Sequence, residues 1–221
     1  MRALELFLFA LAFAIAGLVI LALLWSGEGP YRDLARANGM TRFVFVVPPD
    51  GRQETDLESA VALHGAWARY VTGAVSDPPR PTAPPFTDDE VRHMADVRRA
   101  FDAAKFLVPV SALVILIRLQ RARARGAIAM WRLVRDGALL AAVATAAIGV
   151  AAVVAFEPLF LAFHYVFFPQ GNFLFDPATS NLIRLYPDWY WEGITLRVGA
   201  SFIALALTVA GLATARPRAA K

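Results

Sequence analysis

The sequence predicts an all-α membrane protein with four transmembrane helices and both termini inside. A small α+β extracytoplasmic domain is expected between helices 1 and 2, and an aromatic interfacial loop between helices 3 and 4. Three observations carry this reading. Hydrophobic residues are 58% of the 221 residues and charged residues only 18%, with a mean hydropathy of +0.51, too apolar for a soluble domain of this size. Several uncharged runs approach the roughly 20 residues a helix needs to cross a hydrocarbon core of about 30 Å. The basic residues gather on one side of those runs. Disordered, coiled-coil and collagen chains are excluded, since each needs far more charge or a strict short repeat.

The first span is read over residues 1–25, with Leu6 to Trp25 uncharged. It is longer than the apolar core of a signal peptide and lacks a small-x-small cleavage site, so a retained anchor is expected. Residues 26–87 form the outer domain: an apolar β-rich run from Phe43 to Val47, a turn at Pro48-Pro49-Asp50-Gly51, and an amphipathic helix near Asp56 to Thr72. The proline-rich stretch 77–85 reads as an extended, mobile connection. Thr87 and Glu90 form a capping-box pattern that starts a long helix over 88–120. That helix enters the bilayer part-way along, with Asp102 and Lys105 near its outer boundary and Pro109 tolerated inside it. A basic cytoplasmic loop at 121–136 is expected next, followed by a third span at 137–156. The aromatic loop covers 157–194, where Asp176-Pro177 reads as an N-cap and first helical residue of a helix through about Tyr186. The fourth span is 195–215, with Val198 to Ala215 uncharged, and a cytoplasmic tail covers 216–221.

Charge sets the direction. With the N-terminus inside, the inner segments hold ten basic residues, namely Arg2, Arg118, Arg121, Arg123, Arg125, Arg132, Arg135, Arg216, Arg218 and Lys221, against Glu5 and Asp136. The other twelve basic and sixteen acidic residues fall outside. Positive-inside is strongly obeyed. The pI of about 9.8 therefore reflects topology beside anionic phospholipid, and no nucleic-acid partner is expected.

There is no cysteine, so thiolate metal clusters and cysteine nucleophiles are excluded and chemistry must use other groups. All three histidines fall outside. His64 shares helical spacing with Leu57, Ala60, Val61, Trp67, Ala68 and Val71 and reads as a packed core residue. His93 has Asp96 one turn later on the same face. His164 lies in the apolar run Phe160 to Phe168, where an imidazole must find a partner or stay neutral, the form able to act as a base.

Several blocks carry a resemblance: Tyr31-Arg32 with Leu34 and Asn38-Gly39; Phe86-Thr87 with His93-Met94, Asp96-Val97 and Phe101; Phe163-His164 with Phe167-Phe168, Asp176-Pro177, Leu182-Ile183, Tyr186-Pro187 and Trp191. Together they resemble the bacterial lipoprotein intramolecular transacylase family, four-helix membrane proteins long known only as a domain of unknown function. The resemblance implies an acyltransferase of the bacterial cytoplasmic membrane, facing outward. It would move the sn-2 acyl chain of a diacylglyceryl-cysteine lipoprotein onto the α-amino group of the same cysteine, giving a lyso-form lipoprotein. It also implies that the family's two essential histidines fall on His93 and His164. Asp96, Asn172 and Asp176 are candidate orienting, oxyanion or substrate-binding residues. Where many members carry an Asn-Asp type pair, this chain has Gln170, Gly171 and Asn172. Diacylated lipoprotein and membrane phospholipid are the expected partners, with no cofactor and no metal.

Two other readings use the same residues. In a membrane metallohydrolase, His93, Asp96, His164 and Asp176 would bind zinc, although no tight motif supports it. In a non-enzymatic scaffold or lipid-binding module the histidines would only pack. The topology itself is testable with reporter fusions: one placed after Ala127 should be active only if the reporter works inside the cell, and activity outside would refute the N-in arrangement.

Overall fold

Apolar helices satisfy their own backbone groups and can be stable in hydrocarbon, whereas the polar segments between them need a core of their own. The computed structural model, which describes residues 3–49, 51–80 and 84–215, follows that division. Its order is α1 (Ala3–Trp25), α2 (Glu28–Ala37), β1 (Arg42–Val47), β2 (Gly51–Asp56), α3 (Leu57–Val71), α4 (Asp88–Ala124), α5 (Ala127–Val154), α6 (Phe156–Phe167), α7 (Asn181–Leu185) and α8 (Asp188–Ala215). Helices α1, α4, α5 and α8 are each long and apolar enough to cross a membrane. Arg2, Asp50, three residues of the proline-rich stretch (81–83) and the tail 216–221 lie outside the described residues.

The chain divides into two compact units. The first takes residues 1–22, 104–154 and 196–221. Its contacts use small residues, as expected where lipid removes the hydrophobic drive between helices and close packing must replace it. Ala10, Ala141, Ala142 and Ala206 surround the fully buried Phe202. A Cβ at Gly17 would lie 2.6 Å from the Phe202 ring, and one at Gly137 would lie 2.3 Å from Phe9, so these glycines are required for approach. Glu5, 7% exposed, takes a two-pronged bond from Arg125 at 2.8 and 2.7 Å, which compensates a carboxylate buried among apolar neighbours. Phe106, Leu113, Val143, Ile148 and Val150 stay exposed, as suits faces turned to acyl chains.

The expected basic loop at 121–136 is instead almost wholly helical, since α4 runs to Ala124 and α5 starts at Ala127. The break is only the turn at Gly126, whose φ of +116° favours glycine. Its arginines therefore ride on helix ends.

The second unit covers residues 23–103 and 155–195. β1 pairs antiparallel with β2, Phe43 opposite Thr55 and Phe45 opposite Gln53, and turns Phe43 and Phe45 into the core. β2, Gly-Arg-Gln-Glu-Thr-Asp, has no apolar alternation to mark it in the sequence, and α2 is a further element beyond those expected. The amphipathic helix is found as α3, with Asp56 accepting from Ser59 N at 2.7 Å as its N-cap. Trp67, Tyr31, Val61, Leu185, Tyr186 and Tyr190 build one aromatic core. The proline-rich stretch is not helical or stranded where described, and its flanks are tied: Arg98 donates to Val75 O and Ser76 O, and Asn181 Nδ2 to Pro85 O. The aromatic segment 157–194 holds α6, α7 and the start of α8, so it is more ordered than a loop.

His64 is the core residue its spacing predicts. It stacks on Tyr31 at 4.4 Å, pairs with the Tyr186 hydroxyl at 3.2 Å and contacts Ser26 O at 3.1 Å. Burial pushes it down to about 4, against the two backbone carbonyls that raise it. The folded state thus binds fewer protons than the unfolded state between about pH 6.5 and 4. Stability should be full above pH 6.5 and fall as pH drops through that window. Thermal melts should show a smaller acid loss for His64→Phe, which keeps a ring against Tyr31 but cannot titrate, than for the wild type.

Candidate active site

The site lies in the second unit and grows from one face of α4. Residues at intervals of three on a helix share a face, and Glu90, His93 and Asp96 all turn inward, 1%, 6% and 8% exposed. The capping box is formed: Glu90 Oε2 accepts from Thr87 N at 2.8 Å and from Thr87 Oγ1 at 3.1 Å. Its other oxygen takes Ser180 Oγ at 2.6 Å and Leu182 N at 2.7 Å, which fastens the start of α7 to α4. That second role was not legible in a pattern that explains Glu90 as a cap alone.

His93 lies against His164, ring centroids 6.0 Å apart and 23° from parallel. The edges of Phe168 and Phe175 close over His93 at 5.0 and 5.7 Å. Phe160 and Phe173 flank His164 at 4.1 and 5.1 Å. Burial pushes His93 down to about 4, helped by repulsion from a charged His164 and opposed by Asp96 and the Asn172 amide. Burial also lowers His164, opposed by the Phe160 carbonyl. Both rings are therefore neutral at physiological pH and able to accept a proton.

The tautomer of His164 follows from its partner. Nδ1 lies 2.7 Å from Phe160 O, and a carbonyl can only accept, so Nδ1 carries the hydrogen and the lone pair is on Nε2.

Asp96 anchors the turn after α6. Its Oδ2 accepts from Gln170 Nε2 at 2.5 Å and Asn172 Nδ2 at 2.6 Å, and its Oδ1 pairs with Arg99. Gly171 between the two amides has φ +76°, which favours a residue without Cβ and lets both side chains reach one carboxylate. The sequence assigns Gln170 no role, and the signal for it is the buried acceptor three residues past His93.

Asp176 does not join this cluster. It is exposed, and its Oδ1 accepts from Ala178 N at 2.8 Å. The helix expected to start there is corrected to α7, Asn181–Leu185, capped by Ser180, because residues 177–179 form turns closed on Asp176 O. Among the described residues no group of three or more His, Cys, Asp or Glu could hold a metal ion, so the zinc reading finds no ligand set.

Four helices able to span a bilayer and a pair of buried, near-parallel imidazoles define a multi-pass membrane protein with a paired-histidine site. The family model for the lipoprotein intramolecular transacylase Lit matches residues 53–191, and the chain belongs to that family of enzymes. The fold is similar to that of the membrane integral lipoprotein intramolecular transacylase Lit from Bacillus cereus. The two share 14% identity over 97% of this chain and 96% of that one, with a TM-score of 0.71. Two variants of the Bacillus cereus protein, with a histidine replaced by arginine or by alanine, give TM-scores of 0.67 and 0.66 at 13% and 14% identity. The first pair covers 99% of this chain and 94% of the variant, the second 97% and 94%. No curated protein matches the chain.

The Glu90 clamp gives a stability test. Glu90→Gln puts an amide nitrogen where one oxygen now accepts two donors, leaving buried donors unpaired at about 1–3 kcal/mol each. Thermal melts should show a clear loss relative to wild type, and an unchanged melting temperature would contradict the clamp.

Proposed function

We propose that this chain moves the sn-2 acyl chain of a diacylglyceryl-cysteine lipoprotein onto the α-amino group of the same cysteine, with His93 and His164 as its proton-transfer residues. The amine nitrogen attacks the ester carbonyl, an N–C bond forms, the C–O bond to glycerol breaks, and the proton lost by nitrogen ends on the glycerol oxygen. The observation that carries this reading is the near-parallel pair of buried imidazoles, ring centroids 6.0 Å apart. An α-amine has a pKa near 8 and is largely protonated at neutrality, so a base is needed to free its lone pair. A leaving alkoxide needs a proton returned. A neutral imidazole that takes the amine's proton becomes the imidazolium that can return it to the leaving oxygen, so the pair supplies both transfers in turn.

Amine and ester belong to one substrate molecule, so orientation replaces a covalent acyl-enzyme. A chain without cysteine and without a serine-elbow motif suits that economy. Phe163, whose ring lies 5.6 Å from that of His164, is exposed, as are Val166, Phe167 and Leu174 in the same stretch of chain, which suits a site open to acyl chains. The positive-inside charge distribution supports placing that site on the extracytoplasmic side of the bacterial cytoplasmic membrane.

Mass analysis of a lipoprotein N-terminus tests the reaction. Expressing the wild-type chain should add an N-acylated lyso-form. His93→Ala and His164→Ala should each remove most of it while the protein stays folded and inserted, since acid–base catalysis is worth roughly 10²- to 10⁴-fold. The reading fails if both histidines can be replaced together and the transferred acyl chain still appears. A stable acyl-enzyme trapped by hydroxylamine would equally contradict direct transfer.

A further inference from the structure

Two buried polar atoms in the site have no hydrogen-bond partner: His93 Nδ1 and Asn172 Oδ1. Leaving either unpaired costs about 1–3 kcal/mol, and the two are chemically complementary. The orientation of the Asn172 amide is decided by Asp96. An ionised carboxylate only accepts, so the amide nitrogen faces it, as the 2.6 Å contact shows, and the amide oxygen is turned elsewhere. Gln170 donates to the same carboxylate oxygen and so fixes the far side of the turn.

We propose that Asn172 Oδ1 accepts the hydrogen on His93 Nδ1, so that Asp96, acting through the Asn172 amide, holds neutral His93 as the Nδ1–H tautomer with its lone pair on Nε2. Among the described residues around His93, His164 Nε2 is the other open acceptor, and the proposal leaves that atom for the reacting proton. Phe168 and Phe175 are apolar, and Glu90 on the same helix is filled by its own donors. Asp96 is taken by two amides and Arg99. His164, facing from α6, presents the other imidazole. The Asn172 amide favours the protonated form of His93, as an acceptor beside the ring would.

The consequence is symmetry of function. His164 is held as Nδ1–H by the Phe160 carbonyl, so both rings keep Nε2 as the basic atom. One ring is set by a backbone carbonyl, the other by a side-chain relay. Asn172, Asp96 and Gln170 are positioning residues. The assignment rests on the proton-transfer reading given above, but it is tested without turnover.

The chain has only three histidines, so 15N spectra of the histidine-labelled full-length protein in bilayers contain three rings, assignable by single substitutions. At neutral pH the His93 signal should show a protonated Nδ1 and an unprotonated Nε2. Asn172→Leu, close in shape, should release that state while leaving the His64 and His164 signals in place. Because loss of the correct tautomer undoes acid–base catalysis, turnover in the mass assay should drop at least about tenfold. The exchange Asp96→Asn with Asn172→Asp keeps an amide–carboxylate pair but turns the carboxylate toward the ring. It should restore Nδ1–H and raise the His93 protonation midpoint, a shift that simple structural repair would not give. A wild-type His93 protonated on Nε2, a tautomer unmoved by Asn172→Leu, or an unmoved midpoint in the exchange variant would each overturn the relay. If Asn172→Leu does not fold, the wild-type and exchange spectra still decide. Failure of wild-type protein to make lyso-lipoprotein would instead sink the reaction and leave the tautomer result standing.

Discussion

Three polar side chains at three-residue spacing on one helix organise the second unit. Glu90, His93 and Asp96 are all buried, and a buried polar group without a partner is costly enough that each imposes a position on another segment. Glu90 draws in Ser180 and the start of α7. Asp96 draws in Gln170 and Asn172. His93, between them, meets His164 and the Phe168 and Phe175 edges. The segment 168–182 has little regular structure, yet it is held at two points a helical turn and a half apart on α4. Its shape follows from the acceptors it must satisfy rather than from a propensity of its own.

The aromatic density near the pair is usually read as an interfacial belt. Here some of those rings have a second effect. Phe160, Phe168, Phe173 and Phe175 exclude water from two imidazoles, and that desolvation is the main cause lowering both. His64 reaches a similar state in a different setting, stacked on Tyr31 with both ring nitrogens occupied. Burial alone therefore does not distinguish a reactive histidine from a structural one. What differs is that His64 has no nitrogen to spare, whereas His164 uses only Nδ1 among the described contacts.

Long-range order in the sequence was legible where periodicity or length is strong. Four spans, the capped start of α4 and the α3 stripe were all readable because a helix repeats its environment every three to four residues. β2 was not, since a polar edge strand is specified by its partner Arg42–Val47 and not by its own alternation. The same limit applies at the site. His93 with Asp96 was visible as a spacing, and His164 as a lone polar group in an apolar run. Gln170, by contrast, has no local pattern to mark it, because its meaning depends on an acceptor 74 positions earlier in the chain. Asp176 failed in the opposite direction: an Asp-Pro pair suits a helix start, but its carbonyl closed a turn first and Ser180 took the cap.

A site that must handle a proton within an apolar surround faces a conflict. It needs a base that is free, so desolvation has to keep both rings uncharged, but a ring that has taken a proton must then be tolerated for long enough to give it back. Asp96 answers the second need at His93, where it favours the charged ring against desolvation. Placed directly on the imidazole, a carboxylate would hold the proton too firmly for a ring that must return it. Occupied by two amides and an arginine, it is attenuated, and the amide between them passes on orientation more than charge. The proposed relay therefore requires that a neutral acceptor face the ring and that an anion stay one bond behind it. That constraint falls on the order of the groups, carboxylate then amide then imidazole, and only secondarily on which residue of the turn supplies the amide.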